Sequence, residues 1–182
     1  IQSLMSELTA KRTAVKQALH ALFLVFRIGS ERYALQATEV AEVLARQPLK
    51  PIAHAPHWVA GVFAYRGAVV PVIDLCALTF GTPAQARTST RLVLVHYRAN
   101  DGAETKLLGL ILEQATDTVR YNPTDFQPYG LDNRQARYLG PVREDAQGLL
   151  QWVRVADLLD DQVRALLFPS PPLDLALLEE RP

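Results

Sequence analysis

Residues 56–81 read PHWVAGVFAYRGAVVPVIDLCALTFG, and this stretch decides the fold. Val62, Ala64 and Arg66 alternate with Phe63 and Tyr65, the pattern stops at Arg66-Gly67, and an apolar run resumes from Ala68 to Ile73. A period of two broken by a central glycine predicts two short strands joined by a tight turn. Asp74 follows the second strand directly, and Leu75, Leu78 and Phe80 recur at roughly helical spacing up to Gly81. That spacing predicts a short helix capped by Asp74 and ended by Gly81. Pro71 has no N–H to give a ladder, so its strand is expected to lie at an edge or to bulge there. An edge strand is also a place where another chain can dock.

Working outward, residues 3–21 place Leu4, Leu8, Val15 and Leu19 on one stripe, which predicts an amphipathic helix, either laid against its own domain or fraying into solvent, with contact to a partner helix or a membrane surface as the functional alternative. A strand follows over residues 22–28, with Phe23 and Val25 facing away from Leu24, Phe26 and Ile28, and it returns at Tyr33–Leu35. A helical turn capped by Thr38 leads into a strand over residues 41–46. Pro48, Pro51 and Pro56 stiffen an irregular connection whose end is seated by Trp58 and Val59.

Beyond the central stretch, the polar residues 82–90 suit an exposed connector between two lobes. Strands are predicted over residues 91–97 and 106–112, the second continuing, after a bend, through Gln114 to Tyr121. Residues 122–137, with Pro123, Pro128 and Gly130, form an irregular excursion. A hairpin over residues 138–142 and 148–155 turns at residues 143–147, and a terminal helix begins at residues 156–159 and runs on toward Leu166. Whether Leu173, Leu175, Leu177 and Leu178 of the Pro-rich tail pack against the body stays open. Many short strands, little helix and a polar break near residue 85 favour paired small β-barrels over an α/β enzyme.

The 182 residues are 49% apolar, enough for a substantial core in one domain or two small ones packed together. Nineteen Lys and Arg against nineteen Asp and Glu leave no net charge, which argues against nucleic acid as a partner and against an anionic membrane. The apolar run 21–26 is far short of the roughly 20 residues that a bilayer helix needs, so no direct membrane insertion is expected. Cys76 is the one cysteine, which excludes an internal disulfide and reads as a buried small hydrophobe. His54 and His57 are interrupted by Pro56, and His20 and His96 stand apart, so neither pair reads as a metal site. No GxGxxG unit, phosphate loop or GxSxG elbow occurs, and Asp117, Asp125 and Asp132 have no neighbour to tune them. No catalysis, cofactor or metal is expected.

The order of these pieces resembles the CheW-like coupling proteins of bacterial chemosensory systems. The likeness runs over residues 22–161, from FLVFRIG at Phe23 through Val40-Ala41-Glu42-Val43 and GVFAYRGAVVPVIDL at Gly61–Leu75 to YLGPV at 138–142 and VADLL at 155–159. Its most specific part is the arrangement G-x-x-x-x-R-G-x-x-x-P-V-I-D-L, in which Gly67, Pro71, Asp74 and Leu75 are the structural positions. The resemblance implies an all-β protein with short helices, made of two SH3-like five-stranded barrels, the first lobe centred on residues 33–81 and the second on 91–150. Residues 1–21 and 162–182 are then terminal extensions.

The resemblance also implies a non-catalytic scaffold in the cytoplasm, held at membrane chemoreceptor arrays through its partners. Those partners would be the cytoplasmic tip of a methyl-accepting chemoreceptor, the regulatory domain of a CheA-like histidine kinase, and other CheW-like domains. The coupling positions fall on Val40, Glu42, Gly61 and Arg66. Val69 and Val72 add apolar candidates for the kinase-facing edge, and because they alternate, one of them must face the core. Glu113-Gln114 and Gln151-Trp152 depart from the family pattern and point to a specialised chemosensory pathway instead of the standard motility one. Two alternatives stand beside this reading: an auxiliary adaptor that binds receptors and recruits another output, and a detached regulatory domain of a histidine kinase.

Overall fold

The computed structural model describes residues 2–18, 20–128 and 134–169. Its centre is the predicted hairpin, β4 (Val59–Tyr65) paired antiparallel with β5 (Ala68–Asp74). Arg66 and Gly67 form the two-residue turn with φ of 48° and 80°. Two successive positive φ values match the twist of the flanking strands. The second strand leads straight into α2 (Leu75–Phe80), where Asp74 accepts from the Ala77 N–H and Gly81 ends the helix in the left-handed conformation.

Among the described residues, nine strands form two five-stranded lobes that share one of them. The hairpin joins β3 (Val40–Ala45), β6 (Arg91–Tyr97) and the first half of β7 (Lys106–Tyr121). The second lobe contains β1 (Ala21–Ile28), β2 (Glu31–Gln36), β8 (Leu139–Asp145), β9 (Gly148–Val153) and the rest of β7. The transfer occurs where Gln114 takes φ 48° and the register against β1 shifts between Arg27↔Glu113 and Val25↔Asp117. An irregularity of this kind bends a strand enough to serve two sheets.

The expected partition into lobes at 33–81 and 91–150 is therefore corrected. β6 pairs with β3, and β1–β2 pair with β7 and β9, so the connector at residues 82–90 links two strands of one lobe. It is also tied down near its start. The Asp74 carboxylate, 8% exposed, accepts from Ala84 N–H at 2.9 Å as well as from Ala77 N–H at 3.1 Å. One buried carboxylate thus satisfies donors of a helix start and of the loop that follows.

Alternation of side chains distributes the core. Leu24, Phe26 and Ile28 of β1 join Ile73, Val93, Val95, Leu108 and Leu110 in a cluster common to both lobes. Phe23, on the opposite face of β1, enters a separate aromatic cluster with Phe126 and Trp152 at 5.2 and 5.0 Å between ring centroids. The departure at Gln151-Trp152 leaves β9 unbroken, because Trp152 fills that second cluster and Gln151 donates to the Gly140 carbonyl at 3.0 Å.

Several boundaries differ from the sequence reading. Pro71 is buried opposite Val62, and β5 is one-sided only up to Pro71, since Val72–Asp74 pair in parallel with Gly109–Ile111. The bulge lies instead in β4, between Val59 and Gly61. Thr38 does not cap a helix; it sits inside a single 3₁₀ turn, Ala37–Glu39. The β8–β9 turn is only Ala146-Gln147, because Arg143–Asp145 stay in the ladder. The terminal helix is broken into a 3₁₀ turn at Val155–Asp157 and α3 (Asp161–Leu167), since Asp160 takes extended backbone and caps α3 by accepting from Val163 N–H. Val163 and Leu167 are buried, and Phe168 stacks on Tyr97, so the folded body runs past residue 161.

At the other end, α1 (Gln2–Ala18) forms as predicted, and its residues 2–12 are all exposed. Leu4, Met5 and Leu8 make too short a stripe before Lys11 and Arg12 to bury much area. The side chains of Val15 and Leu19, together with Gly130, Asp132 and the leucines of the tail, lie outside the described residues.

Candidate functional site

Of the residues singled out by sequence, Glu42, Arg66 and Val69 lie on the outer part of the β4–β5 hairpin and the adjoining rim of β3. β3 and β4 share no backbone ladder. Side chains span that gap instead. The Tyr65 hydroxyl donates to Glu42 Oε2, and the Arg66 guanidinium stands 3.5 Å from the same oxygen. The guanidinium carbon also lies 5.0 Å from the centre of the Tyr65 ring, within the range of a cation–π contact. Glu42 is 34% exposed and Arg66 is 77% exposed, so the pair is open to solvent and each partner is reachable. Such an exposed pair contributes little to stability, of the order of 0–1 kcal/mol. Its arrangement is better suited to presenting a cation than to holding the fold.

Structure divides the predicted set into surface and scaffold. Arg66 and Val69 are surface, Val69 at 72% exposure on the outer side of β5. Glu42 lies on the rim. Val40 pairs with Val95 and is partly buried against the common core, so it offers only an edge to a partner.

Gly61 and Val72 lie inside the lobe and not on its surface. Val72 is fully buried, and its Cγ2 would lie 2.8 Å from a Cβ placed on Gly109, so it packs inside the lobe. Gly61 is buried with φ 142°, and a Cβ there would come within 2.5 Å of the Lys50 carbonyl oxygen. That carbonyl accepts from Val62 N–H at 2.8 Å, and Lys50 N–H is bonded back to the Val62 carbonyl at 2.8 Å. Gly61 therefore lets the proline-rich connection close onto β4, a close approach that only a residue without Cβ permits.

Sequence reasoning missed Tyr65 and the network on the other lobe. Tyr65 reads as an ordinary inward member of an alternating strand, and only the fold brings Glu42 to its hydroxyl. Likewise Arg32 and Asp145 stand far apart in sequence but form a two-pronged ion pair at 2.8 and 3.0 Å, with Tyr121 donating to Asp145 at 2.9 Å. The Arg32 bond and the further donors from Gln147 N–H and Tyr121 hold the Asp145 carboxyl at about 2, against the opposing effect of burial. Arg143 lies over the Tyr121 ring at 3.9 Å, which ties the β8–β9 hairpin to β7.

Burial, first of all, pushes the Cys76 thiol up and away from its nucleophilic form. Among the described residues, no group of three His, Cys, Asp or Glu could hold a metal ion. No described helix is long and apolar enough to cross a membrane.

Two fused five-stranded lobes sharing β7, with Arg66 and Val69 exposed on the β4–β5 hairpin, define the class of fold. The chain belongs to the CheW-like domain family, whose model matches residues 22–163. It is 29% identical to the chemotaxis protein CheW of Rhizobium meliloti over 105 residues, 58% of this chain and 64% of that protein. To the CheW of Helicobacter pylori it is 33% identical over 107 residues, 58% of this chain and 61% of the relative. The matched stretches thus span about three fifths of the length of these relatives. Protein FrzA of Myxococcus xanthus is 38% identical over 69 residues, which are 38% of this chain and 42% of that protein. The fold is similar to that of the scaffolding protein TtCheW from Thermoanaerobacter tengcongensis, with a TM-score of 0.68 at 19% identity, covering 78% of this chain and 88% of that one.

Proposed function

We propose that the chain is a non-catalytic cytoplasmic scaffold that couples the cytoplasmic tips of chemoreceptors to a CheA-like histidine kinase. The observation that carries this reading is the family match across both lobes, residues 22–163. Arg66 serves the receptor, where a free guanidinium can pair with carboxylates of a helix tip. Val69 serves the kinase regulatory domain; its side chain adds apolar contact at an edge where Pro71 limits backbone pairing. Binding to receptor and kinase at once lets a change in one bias the other.

The test is binding to receptor and kinase fragments, separately and together. Arg66→Ala is expected to weaken receptor binding roughly tenfold, and Val69→Asp kinase binding by a similar factor. Both should keep the wild-type circular dichroism spectrum and melting temperature. Unchanged assembly with either variant would remove that residue from the interface.

The chain further acts in a specialised chemosensory pathway rather than the standard motility one. Support comes from the departures at Glu113-Gln114 and Gln151-Trp152, which the fold absorbs at the β7 transfer and in the aromatic cluster. Deleting the gene is expected to leave flagellar chemotaxis in soft agar intact and to alter a different receptor-controlled output. Loss of soft-agar expansion would assign the protein to motility.

A further inference from the structure

Arg66 has two resting places on its own protein, the Glu42 carboxylate at 3.5 Å and the face of the Tyr65 ring at 5.0 Å. Tyr65 controls both. Its hydroxyl donates to Glu42 Oε2, the very oxygen nearest the guanidinium, and its ring supplies the alternative seat. A carboxylate oxygen already taking a hydroxyl proton has less negative charge to offer a cation. The guanidinium is 77% exposed although it stands 3.5 Å from that oxygen. The backbone contributes as well. Arg66 takes φ 48° in a two-residue turn, which sets the direction from which its side chain leaves and leaves Tyr65 beside it on the strand.

From this geometry we infer that Tyr65 is a positioning residue for the partner contact, its hydroxyl occupying Glu42 so that the Arg66 guanidinium remains available to an acidic partner surface. The inference rests on the receptor-facing role proposed for Arg66 and deepens it. It does not require Tyr65 to touch the partner. Phenylalanine at position 65 keeps the ring and releases Glu42, so the guanidinium should close onto the freed oxygen and partner binding should fall. Removing the charge of Glu42 abolishes that closed state. Glu42→Gln in the Tyr65→Phe background should therefore return the Arg66 Nε–H exchange to its wild-type rate, which no purely structural role for the tyrosine explains.

The experiment measures binding of an acidic receptor-tip fragment by wild type, Arg66→Ala, Tyr65→Phe and the Tyr65→Phe/Glu42→Gln double variant, with side-chain NMR of the Arg66 Nε–H in each free protein. We expect Tyr65→Phe to weaken binding about threefold, the scale of one exposed ion pair; the double variant, which also loses a rim carboxylate, is read by its Arg66 exchange rate. The Arg66 Nε–H should exchange with water more slowly in Tyr65→Phe than in wild type and recover in the double variant. Weakening in Arg66→Ala together with wild-type binding by Tyr65→Phe would overturn the role of Tyr65 and leave the Arg66 reading intact. Unchanged binding by Arg66→Ala would instead overturn the underlying reading. Should Tyr65→Phe lower the melting temperature, the exchange rate of the Arg66 Nε–H still decides, and an unchanged rate overturns the inference.

Discussion

Gly61→Ala is expected to destabilise the protein by roughly 3 kcal/mol or more. The new methyl would lie 2.5 Å from the Lys50 carbonyl oxygen and 3.0 Å from its carbon, and φ 142° is itself unfavourable for a residue with a Cβ. Relief requires the Lys50–Val62 bridge to open, which breaks two backbone hydrogen bonds and frees the connection at residues 46–58 from β4. Urea unfolding should show the midpoint falling together with all partner binding. A variant with an unchanged midpoint and selective loss of one partner would return Gly61 to the contact surface.

Asp145→Asn is expected to cost about 2 kcal/mol near neutral pH, because it leaves the Arg32 guanidinium, only 10% exposed, without its anion. The wild-type protein should also show this loss on acidification. The carboxyl of the folded chain is held at about 2, below its ordinary 3.8, so the folded state binds the proton less readily than the unfolded one. The stabilisation is therefore fully present above pH about 4, declines as pH falls toward about 2, and is gone below that. Other carboxylates titrate in the same range. The difference between wild type and Asp145→Asn isolates this one, and denaturant unfolding at pH 2, 3 and 5 should show that difference shrinking. A constant difference would mean that the ion pair does not govern the stability of the β8–β9 hairpin.

Both effects arise at places where distant segments meet, and this explains what could be read in advance. The β4–β5 hairpin, the Asp74 cap and the Gly81 stop were legible because each depends on a few adjacent residues. Period-two alternation defines a strand, a carboxylate just before an apolar turn meets its free N–H groups, and glycine takes positive φ at little cost. The bend in β7 was legible only as an interruption. That it moves β7 from one lobe to the other depends on which strands lie alongside, information that alternation does not carry.

The candidate site divides in the same way. Arg66, Glu42 and Val69 could be placed on exposed turns and rims from local pattern together with the family likeness. Gly61 and Val72 sit in that same likeness yet serve the interior, and nothing local tells a glycine kept for a partner from one kept for a passing carbonyl. The sequence alone determined the strands, the tight turn, the caps and the class of fold, since those are set by short-range sterics and by the burial of alternating apolar side chains. Tertiary structure decided the lobe membership of β1, β2 and β6, the Glu42–Tyr65–Arg66 contact and the Arg32–Asp145 pair, because each joins residues remote along the chain whose meeting depends on how whole strands register and pack.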